Sequence, residues 1–92
     1  MATLTDKERT RVANKINRLY SSIERNELRL DRIGSNHEDS KELEEMNSRM
    51  SYALYYIEGI LETIGYKVEY GREEDEQGNM SYPVKLIEQV KH

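Results

Sequence analysis

Apolar residues recur with helical spacing through the first third of the chain. The positions are separated by three or four residues, apart from an interruption at Asn26, and they are Val12, Ile16, Leu19, Ile23, Leu30 and Ile33. This pattern predicts one amphipathic helix over residues 5–33, whose apolar seam needs a second helix to pack against. Thr5, followed three residues later by Glu8, predicts a capping box at the start, and Gly34 predicts a left-handed residue at the end.

The same spacing returns over residues 36–64 and predicts a second helix of similar length. Its seam residues are Leu43, Met46, Met50, Ala53, Ile57, Ile60 and Ile64. Either Ser35 or Ser40 can cap its start, and the sequence leaves the choice open. Because the connection is short, the two helices must run antiparallel. We therefore predict a long, coiled-coil-like helical hairpin.

Beyond Gly65 the period changes from helical to alternating. Residues 66–70 and 80–86 each alternate apolar with polar side chains, and the Gly78-Asn79 pair between them is a turn signal. The predicted fold is therefore mainly α (α+β), a single domain over residues 1–92 with a small C-terminal β-hairpin. Pro83 cannot donate to a ladder, which places it at an edge. The conformation of residues 85–92 stays open between a strand and a helical turn.

One flank of the helical hairpin is apolar on both helices. It would be exposed to water if the two helices stood alone. The β-hairpin can cover this flank, or a second copy of the chain can. With 19 Leu, Ile and Val residues and neither Phe nor Trp, the core is small, so we expect a homodimer. Asn26 on the seam predicts a residue that fixes register or oligomeric state. The candidate oligomer-interface residues are Ala13, Tyr20, Asn26, Leu54 and Leu61.

The net charge of −4 is distributed unevenly. Residues 1–33 carry eight Lys and Arg against five Asp and Glu, whereas residues 34–64 carry two against seven. A basic stripe lies beside the first seam and consists of Arg11, Lys15, Arg18, Arg25, Arg29 and Arg32. We expect its second half to pair with Glu38, Glu42 and Glu45, which leaves Arg11, Lys15 and Arg18 as candidate partner-binding residues.

Seven tyrosines provide a second candidate surface. Tyrosine suits positions where one end of the side chain is buried and the other is wet, including interfaces. Three of them occupy nearly one turn of the second helix, so they cannot all face its seam. For the hairpin tyrosines the alternative is packing into a small satellite core. The candidate binding residues of this type are Tyr20, Tyr52, Tyr55, Tyr56, Tyr66, Tyr70 and Tyr82.

Catalytic and metal-binding patterns are weak. The chain has no cysteine, and its two histidines, His37 and His92, have no partner at a useful spacing. It has neither a glycine-rich phosphate loop nor a calcium-loop spacing. We predict a protein that is not an enzyme and has no cofactor. An apolar run long enough for a membrane span is also missing, and we expect a soluble, cytoplasmic protein.

These features together favour a non-catalytic binding protein. We expect an inhibitor, adaptor or regulator that acts by protein–protein interaction. Small, acidic, cysteine-free chains of this kind resemble in type the accessory proteins of phages and mobile elements. Two alternatives belong to other classes. One is nucleic-acid binding along the basic stripe, and the other is sequestration of a small anionic ligand, such as a nucleotide, between subunits.

Overall fold

Two long helices and a C-terminal pair of antiparallel ladders make up the fold. The computed structural model describes residues 3–34 and 36–89. The elements are α1 (Asp6–Ile33), α2 (Ser40–Thr63), β1 (Tyr66–Tyr70), β2 (Glu73–Glu74), β3 (Met80–Ser81) and β4 (Val84–Glu88). This order confirms the predicted mainly α architecture with a C-terminal β part.

The predicted capping box starts α1. The Glu8 backbone N–H donates to the Thr5 hydroxyl over 3.1 Å, and the Thr5 backbone N–H donates to the Glu8 carboxylate over 2.9 Å. The backbone hydrogen bond to Thr5 is the main cause that lowers the pKa of Glu8. At the other end, Gly34 has a positive φ of 80°, but its ψ of 163° is extended. Gly34 therefore closes the helix with a positive φ, as predicted, but its ψ lies outside the left-handed helical region, and the position requires glycine.

The start of α2 differs from the prediction. Helical structure begins at Ser40 rather than at residue 36, and Asp39 is the cap residue without a side-chain capping bond. The Ser40 hydroxyl donates to the His37 carbonyl over 2.7 Å, so Ser40 is the first helical residue and not the cap. Ser35, the other proposed cap, lies outside the described residues.

The β-hairpin is longer than predicted and is interrupted. β1 pairs with β4, so that Val68 lies opposite Leu86, and β2 pairs with β3 nearer the tip. The predicted second strand over 80–86 is instead split at residues 82–83, and it continues to Glu88. Pro83 lies in the break, where its carbonyl accepts a hydrogen bond from the Gly71 N–H over 2.8 Å. Because Pro83 lies between the paired strands, neither ladder requires a hydrogen bond from its nitrogen.

The β-hairpin covers the flank that a lone helical hairpin would expose, and both helices contact it. The side chains that form the buried cluster are Ile16, Ile23, Leu54, Leu61, Tyr66 and Leu86. Leu54 and Leu61 are only 8% and 4% exposed, because they pack within the chain. Ala13 and Tyr20 are partly buried against the same cluster. The uncovered flank that motivated an oligomer interface at these four residues is therefore not present.

Covering this flank also changes which side of α2 is buried. The predicted seam residues Met46 and Ile60 are 45% and 61% exposed. The buried side is centred instead on Leu43, Leu54 and Leu61. Because both α1 and the β-hairpin pack on α2, its buried face lies between these two neighbours rather than towards α1 alone.

Asn26 has a partner within the chain. Its side-chain amide donates to the Asn47 Oδ1 over 2.9 Å, and the Asn47 amide donates to the Ile23 carbonyl over 3.3 Å. The seam asparagine therefore links α1 to α2 through a hydrogen bond within the chain.

Replacing Asn26 by leucine should destabilise the protein by about 1 kcal/mol, because the Oδ1 atom of the half-buried Asn47 would lose its hydrogen-bond donor. The double variant N26L/N47L should recover most of that loss, since both polar groups are then replaced by apolar ones. Urea unfolding of the two variants and the parent measures the difference. A single variant as stable as the double variant would contradict the linking role.

Candidate protein-binding surface

The outer side of α2 carries the most exposed large apolar and aromatic side chains of the described residues. Tyr52, Tyr55 and Tyr56 are 73%, 77% and 75% exposed, and Ile60 is 61% exposed. At about 100° per residue these positions fall on the side of the helix away from the buried Leu54 and Leu61. We call these four residues the tyrosine face. Among the described residues, no aromatic pair involves its three rings.

The tyrosine face is large and carries little charge. Three rings at three-quarters exposure present roughly 450 Å² of surface, since a buried tyrosine covers about 150–250 Å². A patch of this size is comparable to the largest on an ordinary monomer, and such patches are often functional. Among positions 52–60, only Glu58 is charged, and it is turned towards the β-hairpin, where it accepts a hydrogen bond from the Tyr70 hydroxyl.

Gly59 lies between the tyrosines and Ile60 on the outer side of α2. A Cβ added there would meet nothing within 4 Å, so packing inside the chain does not require glycine. Glycine in a helix interior costs about 1 kcal/mol relative to alanine. Its lack of a side chain lets another backbone approach this turn of α2 closely. Gly59 is not among the predicted site residues, and its signal in the sequence is a glycine between the tyrosines and Ile60.

An apolar hollow of about 300 Å³ lies beside Ile60, between the first half of α1 and the end of α2. Lys15 is the one polar residue in its lining. The apolar lining residues are Leu4, Val12, Ile16, Ile57, Ile60, Leu61 and Ile64. Ile60 belongs to both the hollow and the tyrosine face, so the two features form one continuous surface. The hollow is suited to an apolar side chain, since nothing polar except Lys15 lines it.

Arg11, Lys15 and Arg18 are exposed along α1, and of these three only Lys15 lines the hollow. Within residues 3–34 and 36–89, no ion pair closer than 4 Å involves any of the three. The same holds for Arg25, Arg29 and Arg32. The predicted pairing of these last three with the acidic start of α2 is therefore wrong, although Arg29 and Glu42 line a common hollow.

The other tyrosines pack within the chain. Tyr66 and Tyr82 are 1% and 2% exposed, which removes both from the accessible surface. The Arg9 guanidinium carbon lies 5.3 Å from the centroid of the Tyr66 ring, and the Tyr66 hydroxyl accepts a hydrogen bond from the Leu4 N–H over 3.1 Å. Tyr66 therefore belongs to the main buried cluster and not to the separate satellite core that the alternative predicted.

Tyr20 links the remaining rings. Its centroid lies 4.7 Å from that of Tyr70 and 5.6 Å from that of Tyr82. Partial burial raises the pKa of Tyr70, and the hydrogen bond that its hydroxyl donates to Glu58 adds to the rise. Through this hydrogen bond the Tyr70 hydroxyl joins the β-hairpin to α2.

The structure brings together some of the predicted site residues and separates others. Tyr52, Tyr55 and Tyr56 share the outer side of α2, and Lys15 meets Ile60 at the hollow. Tyr20, Tyr66, Tyr70 and Tyr82 belong to the packing between the helices and the β-hairpin. A second hollow holds Tyr52 and Tyr55 with Asn47, Ser48 and Ser51, and its lining has no cation to clamp a nucleotide phosphate.

His37 is exposed in the turn between the helices, where its Nδ1 accepts a hydrogen bond from the Asp39 N–H over 3.1 Å. His92 lies outside the described residues. Within the described ranges, no group of three or more His, Cys, Asp or Glu side chains is placed to hold a metal ion. No helix in the same ranges is both long enough and apolar enough to cross a membrane.

Comparison of the chain with protein-family models, with curated proteins and with solved structures gave no significant match.

Proposed function

We propose that this chain is a non-catalytic binding protein that recognises another protein through the tyrosine face of α2 and the adjoining apolar hollow. The observation that carries the proposal is the exposure of Tyr52, Tyr55 and Tyr56 in one turn, beside an accessible pocket of apolar side chains. Tyrosine is enriched at interfaces because it offers a large contact area at a small cost in conformational entropy.

The hollow adds a pocket for a partner side chain, which a surface of exposed rings alone does not provide. Binding energy concentrates where a large side chain fills a desolvated pocket, and neighbouring contacts then exclude water from it. A partner helix that places an apolar side chain between Val12 and Ile60 would meet the tyrosine rings with its next turns. Gly59 allows its backbone to approach, and Lys15 on the rim provides a polar contact at the edge.

A role as an inhibitor, adaptor or regulator follows from this mode of binding, because occupying a partner's surface requires no chemistry. A cytoplasmic location suits a chain without cysteine. A homodimer is also part of the proposal, but its basis is now the tyrosine face, since Leu54 and Leu61 are buried within the chain. A second copy and an unrelated partner would compete for the same surface.

Replacing Ile60 by aspartate should abolish partner capture while leaving the fold intact, because the side chain is largely exposed and lies where the hollow meets the tyrosine face. The measurement is crosslinked capture of partners from lysate of the source organism, with sedimentation equilibrium to detect self-association. Ile87→Asp is the matched control, since Ile87 on β4 is 39% exposed and lies outside this surface. A protein, or a second copy, bound by the parent and I87D but not by I60D supports the proposal. Equal capture by all three would overturn it.

A further inference from the structure

The outer side of α1 is uniformly basic over nearly its whole length. Seven cationic residues lie within an arc of about 100° of the helix at ~100° per residue. They are Lys7, Arg11, Lys15, Arg18, Arg25, Arg29 and Arg32, and every one of them is exposed. We call them the basic face. The first and last are 25 residues apart, which spans about 38 Å at ~1.5 Å per residue.

Interactions within the described residues do not account for the basic face. None of its seven residues makes an ion pair closer than 4 Å within residues 3–34 and 36–89. Several of its members also follow one another at three or four residues, for example Arg11 with Lys15 and Arg25 with Arg29. Like charges at these spacings destabilise an isolated helix. The arrangement therefore lowers helix stability unless an external anion occupies it.

The acidic residues of α1 are kept away from the basic face. Asp6, Glu24, Glu27 and Asp31 fall on the opposite side of the helix at the same angular step. Glu8 is near the edge of the basic arc, where its carboxylate is engaged with the Thr5 backbone. Because charges farther apart than about 8–10 Å are screened at physiological ionic strength, a ligand at the basic face meets local positive charge despite the net charge of −4.

We propose that the basic face of α1 binds the phosphate backbone of a nucleic-acid duplex without sequence specificity. Five of the seven cations are arginine, whose planar guanidinium matches phosphate oxygens in a forked geometry. The straight basic face is about as long as one turn of a B-form duplex, roughly 34–36 Å. Asn14 is the one Asn or Gln residue within the same arc of α1, and it lies at the edge of the arc, so the contacts are mainly to the backbone.

An acidic protein is the competing ligand, and the physical chemistry disfavours it. Exposed ion pairs between proteins contribute little each, and protein interfaces depend on an apolar centre. The basic face has no apolar member, whereas the exposed rings lie on α2. Nucleic-acid binding draws its free energy from counterion release and needs no apolar centre.

The test is fluorescence anisotropy of a labelled 20-base-pair duplex of mixed sequence, titrated with the full chain at several salt concentrations between about 50 and 200 mM. The logarithm of the binding constant should fall linearly with the logarithm of the salt concentration. The variant R18Q/R25Q/R32Q should lose at least roughly tenfold in affinity at the lowest salt, and its slope should fall by about 2.7, or about 0.9 per lost phosphate contact. These three positions lie away from the apolar hollow, so the outcome is independent of the tyrosine face.

The matched control is K41Q/K67Q/K85Q, which removes the same charge from three exposed lysines outside α1. It should keep the affinity and the slope. R18K/R25K/R32K, which retains the charge but not the forked guanidinium, should keep the slope. Absence of duplex binding by the parent would overturn the proposal, and that measurement requires no variant. Equal losses in the two glutamine variants would also overturn it. Tighter binding to single strands, to polyglutamate or to anionic lipid vesicles would assign the basic face to another ligand.

Discussion

Replacing Leu61 by aspartate should unfold the protein, whereas the same substitution at the neighbouring Ile60 should leave it folded. Leu61 is 4% exposed and packs in the cluster with Ile16 and Tyr66. A carboxylate there would be buried without a partner, and an unpaired buried charge costs about 3–5 kcal/mol. The lost packing of the leucine adds to this cost. A core this small supplies only a few kcal/mol in all, so the variant has little stability left.

Ile60 provides the control within the same helix. Its side chain is 61% exposed, so an aspartate at that position remains hydrated, and we expect a change in stability below about 1 kcal/mol. Circular dichroism and thermal melting of the two variants measure the difference. The reverse order of stability would show that α2 buries Ile60 against α1, as a two-helix seam requires, and that the β-hairpin does not cover Leu61.

The second large effect is expected at Tyr66. Truncation to alanine should cost about 3–5 kcal/mol, the range for removing a large buried ring. The side chain is 1% exposed, its hydroxyl accepts the Leu4 N–H, and Arg9 lies over its ring. Losing the ring would leave a cavity between the helices and β1. It would also free the chain before α1 and remove the surface on which the Arg9 guanidinium rests.

Tyr56→Ala is the matched control for this prediction. It deletes the same ring from a site that is 75% exposed, so unfolding in urea should shift little. If both variants lost similar stability, the tyrosine face would be part of the folded core rather than a free surface. The two tyrosines therefore test the division between packing and binding residues that underlies the proposed function.

The tyrosine face illustrates what sequence alone can indicate about a binding surface. Three aromatic residues within about one helical turn cannot all face the buried seam, so some exposure at Tyr52, Tyr55 and Tyr56 follows from spacing. The exposure of Ile60 cannot be predicted from spacing, because this residue fits the apolar period of α2 and is expected to be buried. Its exposure depends on how α2 is rotated between its neighbours, which is a property of the assembled fold.

For the basic face, the sequence shows the spacing of the cations, and the tertiary structure decides whether they are paired. The cationic spacing is visible in the sequence, because a helical period requires only the order of residues. Whether Arg25, Arg29 and Arg32 pair with the acidic start of α2 depends on distances between two elements. Those distances exceed 4 Å, and the second half of the stripe is therefore as free of ion pairs as the first within the described residues.

Local sequence by itself determined the elements of this protein. The capping box at Thr5 and Glu8, the helical period of α1 and the alternation after Gly65 specify helices and strands through contacts between near neighbours. Only the tertiary structure decided which side of α2 is buried. Two apolar stripes of α2, one through Ile60 and the other through Leu61, satisfy the same period. The β-hairpin packs over the second stripe, because that flank offers its tyrosines and Leu86 an apolar surface. The first stripe is then only partly covered: Met50, Ile57 and Ile64 still pack against the core, whereas Met46 and Ile60 are exposed.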